Sequence, residues 1–161
     1  MQRFMEYAAK AARSYQIADH MVHTTYLVVH DPKLLLLAAT HLNESFENAV
    51  SALLFYDYYF KRISQFPKDF GSKMDIFKRH TCIKYGIPRP VIQAIEDVRE
   101  ICIEHNQSEM EFRRKNNFII ASKNYRLRTI NIDKLKSFLV SSKPLISKVQ
   151  EVKRLNDKRI S

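Results

Sequence analysis

Four side chains of types that commonly bind metal ions lie in pairs along the first third of the chain. His20 and His23 are three positions apart, and so are His41 and Glu44. Two facing helices that carry such pairs can hold a metal ion inside a bundle. The order His then Glu is, however, the reverse of the Glu-x-x-His order that di-iron bundles use. The pattern therefore favours ordinary helix side chains, and we predict no metal site and no cofactor.

Covalent and phosphate-cradling chemistries have little support in this sequence. The chain has only two glycines in 161 residues, well below the average of about 7%. P-loops, dinucleotide-binding turns and nucleophile elbows all depend on glycines for close backbone approach. Cys82 and Cys102 are the only cysteines and belong to no paired motif. They favour buried thiols in a reducing compartment, although the sequence leaves one disulfide open.

The strongest sign of a partner is the positive charge in the last third of the chain. The formal net charge is +10. Residues 1–105 contain 13 Lys/Arg against 12 Asp/Glu, whereas residues 106–161 contain 14 against 5. Between Phe112 and Lys148 there are ten Lys/Arg and a single acid, Asp133. Such asymmetry indicates a polyanionic partner, either nucleic acid or an anionic membrane surface.

The segment EFRRKNNFIIASKNYRLRTI, residues 111–130, contains most of the candidate contacts. Its cations and two from the following segment form the predicted nucleic-acid-binding set: Arg113, Arg114, Lys115, Lys123, Arg126, Arg128, Lys134 and Lys136. The interleaved Phe112, Phe118 and Tyr125 have rings that can stack on unpaired bases. The alternative is that these rings form the core of a hairpin and the charges only face solvent. For the rings we favour the core; for the charges we favour a polyanion.

Two long amphipathic helices must position the rest of the chain. Apolar residues recur three and four positions apart from Gln2 to about Val29, and again from about Pro32 to Ser64. Asp31 in the short connection is suited to cap the second helix, and Pro32 suits its first turn. Because the connection is so short, we predict that the two helices pack antiparallel.

Shorter elements follow the helix pair. Two short helices are predicted within about 73–105, and Gly86 is placed to end the first of them. Two β-prone runs within about 118–130 flank Lys123 and Asn124, which predicts a hairpin with a two-residue turn.

A C-terminal helix over about 132–157 completes the predicted fold, with Asn131 as its cap. Pro144 is expected to kink this helix or split it in two. The sequence therefore predicts a single, mostly α domain over 1–161: an antiparallel helical bundle with a small β-hairpin before the C-terminal helix. No apolar run is long enough to span a bilayer, and the N-terminal residues contain no secretory signal. We therefore expect a cytoplasmic protein.

The helix pair and the Ala-rich, aromatic second helix (NAVSALLFYDYYF) resemble the HEPN superfamily over roughly residues 1–105. That superfamily consists of prokaryotic cytoplasmic helical bundles, often dimeric, many of which are metal-independent RNases or toxins. Its active members carry an Arg-x4-6-His motif near the start of a late helix. Arg99 and His105 match this spacing, as do Arg13 and His20 in the first helix. The resemblance therefore implies Arg99 and His105 as the RNase site of an enzymatic alternative.

Three hypotheses of function follow. The leading one is a non-catalytic nucleic-acid-associated or adaptor protein, with RNA favoured over DNA. The second is the HEPN-like RNase or toxin-type protein. The third is a helical interaction protein with no nucleic-acid role, which forms a homodimer through exposed aromatic residues such as Tyr58 and Tyr59.

Overall fold

Two long helices joined by a short connection form the frame of the molecule. In the computed structural model, which describes all 161 residues, α1 is Gln2–His20 and α3 is Lys33–Tyr59. Between them a π-helical turn, Met21–Thr25, continues α1 into the short α2, Tyr26–Val29. His30 then takes a left-handed conformation, with φ 55°, which ends the first long helix. The predicted helix pair is confirmed.

Contacts along the pair show that α1 and α3 run antiparallel. The Ser45 hydroxyl donates a hydrogen bond to the carbonyl oxygen of Ala11 at 2.7 Å. Nearer the start of α1, the rings of Phe4 and Tyr56 lie 5.0 Å apart. The start of α1 therefore lies beside the end of α3, as an antiparallel pair requires.

Three predicted helix ends are confirmed. The Asp31 carboxylate accepts a hydrogen bond from the amide of Lys33 at 3.0 Å, at the start of α3. The side-chain oxygen of Asn131 accepts one from the amide of Lys134 at 2.9 Å, at the start of the C-terminal helix. Gly86 ends a short helix in the left-handed conformation, with φ 64°, which costs least for glycine.

The π-helical turn keeps one face of the first helix against the core. Ala18, Val22 and Tyr26 are all buried, although they follow each other at intervals of four. An α-helix turns once in 3.6 residues, so repeated steps of four would rotate the apolar stripe away from the core. The wider π turn, with hydrogen bonds between residues five apart, removes this rotation. A second π turn, Phe77–Thr81, likewise has both of its ends buried.

Four further helices pack around this frame. Helix α4 is Phe70–Ile76, and the second π turn continues it into α5, Cys82–Tyr85. Helix α6 is Arg89–Gln107, and α7 is Ile132–Ile160. Helices α6 and α7 pack against each other and against α3, so that one continuous apolar core lies among them. None of the helices combines the length and apolar character needed to cross a membrane.

Two boundaries differ from the sequence prediction. Helix α3 ends at Tyr59, short of the predicted Ser64, and the backbone turns sharply at Lys61, which has φ 57°. The apolar Ile63 continues the periodic pattern and so extends the predicted helix past its real end. The next helix begins at Phe70 rather than at about residue 73, with the Asp69 carboxylate accepting a hydrogen bond from the first turn.

Pro144 does not split the C-terminal helix. Helix α7 is uninterrupted from Ile132 to Ile160, and the proline lies inside it. Ser142 before the proline and Leu145 and Ile146 after it are all buried. Packing of this face against the core therefore maintains the helix despite the missing amide of the proline.

A three-stranded antiparallel sheet lies between α6 and α7. Its strands are β1, Met110–Arg114, β2, Asn117–Ala121, and β3, Leu127–Ile130, and β2 is the central strand. Phe118 faces Ile130 across the β2–β3 pair, so the predicted hairpin within about 118–130 is confirmed.

The sheet also corrects the sequence prediction in two ways. Strand β1 was not predicted, because its charged sequence MEFRR looks like a basic approach to the hairpin. The predicted two-residue turn at Lys123 and Asn124 is wrong, since the residues from Ser122 to Arg126 form a longer loop between β2 and β3. The two-residue turn lies instead between β1 and β2, at Lys115 and Asn116, where Lys115 has φ 55°.

Candidate nucleic-acid interface

The strand register divides the side chains of the sheet between two faces. The inner face, which is turned towards the helices, carries Glu111, Arg113, Phe118, Ile120, Arg128 and Ile130. The outer face carries Met110, Phe112, Arg114, Ile119, Leu127 and Thr129.

Arg128 on the inner face holds the sheet to α6. Its guanidinium donates hydrogen bonds to the Glu104 carboxylate and lies 3.0 Å from a carboxylate oxygen of Glu100. The hydrogen bond with Glu104 raises the pKa of the Arg128 guanidinium, and the negative charges of Glu104 and Glu100 act in the same direction. Arg128, one of the predicted nucleic-acid contacts, is therefore occupied within the protein.

Two more polar contacts hold the same face. Arg113 lies 3.1 Å from the Asp31 carboxylate in the connection before α3. Glu111 contacts the His105 imidazole near the end of α6. Arg113 is therefore the second predicted contact that binds an acid of the protein itself.

The two candidates on α7 have different surroundings. The Lys134 ammonium donates a hydrogen bond to the carbonyl oxygen of Thr129 at 3.2 Å, so Lys134 ties the start of α7 to β3. Lys136 is exposed and has no carboxylate within 4.0 Å.

The other four candidates lie at the two ends of the sheet. Arg114 and Lys115 lie at the β1–β2 turn, and Lys123 and Arg126 lie in the β2–β3 loop at the opposite end of β2. All four are exposed, and none has a carboxylate within 4.0 Å. We call these four residues the outer cations. None of them forms an ion pair, although Arg126 lines a cleft that also contains Glu100 and Glu104 of α6.

Apolar side chains lie between the two pairs of outer cations. Leu127 and Met110 on the outer face are about 60% exposed, and Phe112 is partly exposed. Tyr125, in the loop beside them, is 95% exposed. The sheet thus presents an apolar and aromatic strip to solvent that is concentrated near the β2–β3 loop, whereas Ile119 at the centre of the same face is buried.

Tyr125 combines this exposure with an unfavourable backbone. Its φ of 59° lies in the left-handed region, which costs an L-residue with a bulky side chain roughly 1–2 kcal/mol. Its ring buries almost nothing in return. The exposed ring therefore contributes no core contact that would offset this cost.

The prediction that the aromatic residues form the hairpin core is right for one of the three and wrong for the other two. Phe118 belongs to the core cluster. Tyr125 does not: it lies in the β2–β3 loop, next to Leu127 at the exposed outer-face end of β3. Phe112 lies on the outer face too, since the register places it opposite Ile119 of that face.

Arg99 and His105, the candidate RNase pair, contact different partners. The Arg99 guanidinium lies 4.6 Å from the centre of the Phe70 ring, whereas His105 contacts Glu111 of the sheet. Six helix positions separate them, which is about 9 Å along α6 and a rotation of about 240°.

The first-helix histidines make local contacts too. A ring nitrogen of His20 lies 3.4 Å from the Thr25 hydroxyl, and His23 lies 3.5 Å from the Asp19 carboxylate. On α3, His41 lies 3.8 Å from Glu44. The structure contains no group of three or more His, Cys, Asp or Glu side chains that could hold a metal ion. The two histidine pairs are therefore not brought together.

Both cysteines are free thiols. Burial is the main cause that raises the pKa of Cys82, and likewise of Cys102, to about 11. The thiolate is the reactive form of cysteine, so neither residue is a good nucleophile near neutral pH.

Comparisons of the chain with protein-family models, with curated proteins and with solved structures find no match. What the outer face can bind therefore follows from its own side chains. The outer cations suit a ligand with negative charges spaced along its length, and the apolar strip suits flat apolar groups between those charges. Unpaired nucleic acid has both features.

Proposed function

We propose that this protein binds single-stranded nucleic acid, with RNA as the natural form, through the outer face of its sheet. It acts in this proposal as a non-catalytic binding or adaptor protein. The observation that carries the proposal is Tyr125, an exposed aromatic residue in a left-handed conformation beside the outer cations. Sheets that expose aromatic residues between cations suit unpaired RNA, whose bases are free to stack.

The dimensions of the sheet support this mode of binding. Strand β2 has five residues, which corresponds to roughly 16 Å at 3.3 Å per residue. The outer cations lie at both ends of this length, so a short strand laid across the sheet would meet positive charge at each end. Its bases would lie over Tyr125, Phe112 and Leu127.

A salt titration tests the proposal. We expect a fluorescently labelled single-stranded RNA to bind with an affinity that falls as salt rises, with a logarithmic slope of about −3 for four neutralised phosphates. Anisotropy measured from about 50 mM salt upwards gives this slope. Absence of binding at the lowest salt, or equal affinity for duplex RNA, would contradict the proposal.

Replacement of Tyr125 separates binding from stability. Tyr125→Gly should weaken RNA binding about 5- to 100-fold, because a stacked base contributes roughly 1–3 kcal/mol. The same change should not lower the free energy of unfolding, since glycine adopts the left-handed conformation without steric cost. Tyr125→Phe, the control, keeps the ring and should retain the affinity. Equal affinities for the glycine and phenylalanine variants would exclude stacking on this residue.

The alternatives have less support from the side chains. The RNase alternative needs Arg99 and His105 to act together, and these residues contact different partners. The dimer alternative has exposed apolar residues available in Tyr58 and Tyr59, and in Val28 at the end of the first long helix. Both stay predictions.

A further inference from the structure

A buried carboxylate anchors the turn that follows α3. Asp57 is fully buried, and one oxygen of its carboxylate accepts hydrogen bonds from the Tyr85 hydroxyl at 2.7 Å and the Lys84 ammonium at 2.9 Å. The Arg62 guanidinium lies 3.3 Å from the same oxygen. Burial, reinforced by this hydrogen bond and by the negative charge of Asp57, strongly raises the pKa of Tyr85. Two cations therefore surround one carboxylate and leave this region with excess positive charge.

Arg62 also lines an open groove in which positively charged side chains again outnumber negatively charged ones. The groove lies between the end of α3 and the second π turn, and its polar side chains include Lys61, Arg62, Ser64, Arg79 and His80. No carboxylate lines it. We call it the α3-end groove.

The cations of the groove differ in how far they are neutralised. Lys61 has no carboxylate within 4.0 Å. Arg79 donates only to the backbone carbonyl of Asp75, at 3.3 Å. The Nδ1 atom of His80 is buried and has no hydrogen-bond partner within the protein. Lys61 thus has no acidic partner in the protein, and Arg79 has a carbonyl acceptor but no carboxylate.

Two tyrosine rings complete the lining. Tyr58 and Tyr59 both border the α3-end groove, and each is about half exposed. They belong to an aromatic run that surrounds the end of α3, and burial in the core does not account for them. Their rings offer flat surfaces next to the cations, and their hydroxyls offer further donors.

We propose that the α3-end groove binds a nucleoside monophosphate. The phosphate would take the donors of Lys61 and Arg79, because a phosphate accepts hydrogen bonds and carries the charge that the lining lacks. The base would lie against the exposed tyrosine rings. A carboxylate ligand would satisfy the cations but would leave the rings without a partner.

This site is separate from the sheet. The Arg113–Asp31 ion pair places the sheet beside the start of α3, whereas the groove lies at its end. A helix of 27 residues is about 40 Å long. The groove and the outer cations therefore bind their ligands independently, and replacement of the outer cations should leave the groove unchanged.

A titration of the full-length protein with AMP, adenosine and inorganic phosphate tests this site. We expect AMP to cause saturable amide shifts in two-dimensional NMR spectra at residues 61–64 and 79–80. Adenosine, which lacks the charge, and inorganic phosphate, which lacks the base, should each bind at least about tenfold more weakly. Absence of saturable shifts at about 10 mM AMP, or equal binding of either fragment, would overturn the proposal.

A double variant locates the phosphate. Lys61→Gln with Arg79→Gln should weaken AMP binding at least about tenfold, because two charge-assisted contacts are lost. The matched control is Lys158→Gln with Arg159→Gln, which removes the same charge from exposed positions in the last turn of α7. Equal weakening by both variants would mean that AMP responds only to net charge, and would overturn the assignment of the phosphate to the groove.

Discussion

Replacement of the four outer cations, Arg114, Lys115, Lys123 and Arg126, by glutamine is expected to weaken single-stranded RNA binding by roughly 10²- to 10³-fold at 0.1 M salt. Each phosphate contact on a single strand contributes about 0.7 to the logarithmic salt slope, so loss of four contacts removes almost three units of slope. The same anisotropy titration should therefore become nearly flat with salt.

A matched variant distinguishes a defined surface from general attraction. Lys143, Arg154, Lys158 and Arg159 are exposed on α7, and their replacement by glutamine removes the same total charge. This control should lose far less affinity and keep most of the salt slope. If both variants lose affinity equally, RNA is held by the net charge of the protein and the outer face is not its binding site.

Asp57→Ala is expected to lower the free energy of unfolding by about 2–4 kcal/mol. The substitution removes the only carboxylate that Lys84 and Arg62 contact, and it leaves the Tyr85 hydroxyl without its acceptor. Both cations remain about one-third exposed, so water compensates them in part and keeps the loss below that of a fully buried pair. Urea unfolding followed by circular dichroism measures the change.

Asp75 provides the control for this experiment. It is exposed on α4, and its carboxylate takes part in no ion pair. Asp75→Ala should change the free energy of unfolding by no more than about 0.5 kcal/mol. A loss of less than about 1 kcal/mol for Asp57→Ala would show that the buried carboxylate contributes little to the fold.

The helical part of this fold could be predicted because its signals are local. Apolar spacing identified α1 and α3, and the capping residues Asp31, Gly86 and Asn131 marked real helix ends. Each signal depends on atoms within a few positions of the residue concerned, so the sequence carries it directly.

The candidate site could be predicted only in part, because a charged side chain is free to bind a ligand only if no opposite charge of the folded protein pairs with it. Arg126 and Arg128 are two positions apart, yet Arg128 contacts acids of α6 while Arg126 has no acidic partner. The spacing of the arginines in the sequence cannot show which of them forms an ion pair, since the acids belong to α6, more than twenty positions earlier in the chain. Tyr125 was misjudged for a related reason: the sequence does not show which face of the hairpin is turned towards the helices, and Tyr125 precedes Leu127 on the exposed side.

The sheet is attached to the helices through apolar contacts and through three inner-face residues, Glu111, Arg113 and Arg128, each paired with an acid or a histidine of another segment. Ion pairs at a surface weaken as ionic strength rises, whereas the apolar core does not. We therefore expect the free energy required for local unfolding of the sheet to fall with salt more than that required for the helices. In the proposed mode of RNA binding, salt would act twice: it would screen the phosphates, and it would weaken the attachment of the sheet that receives them.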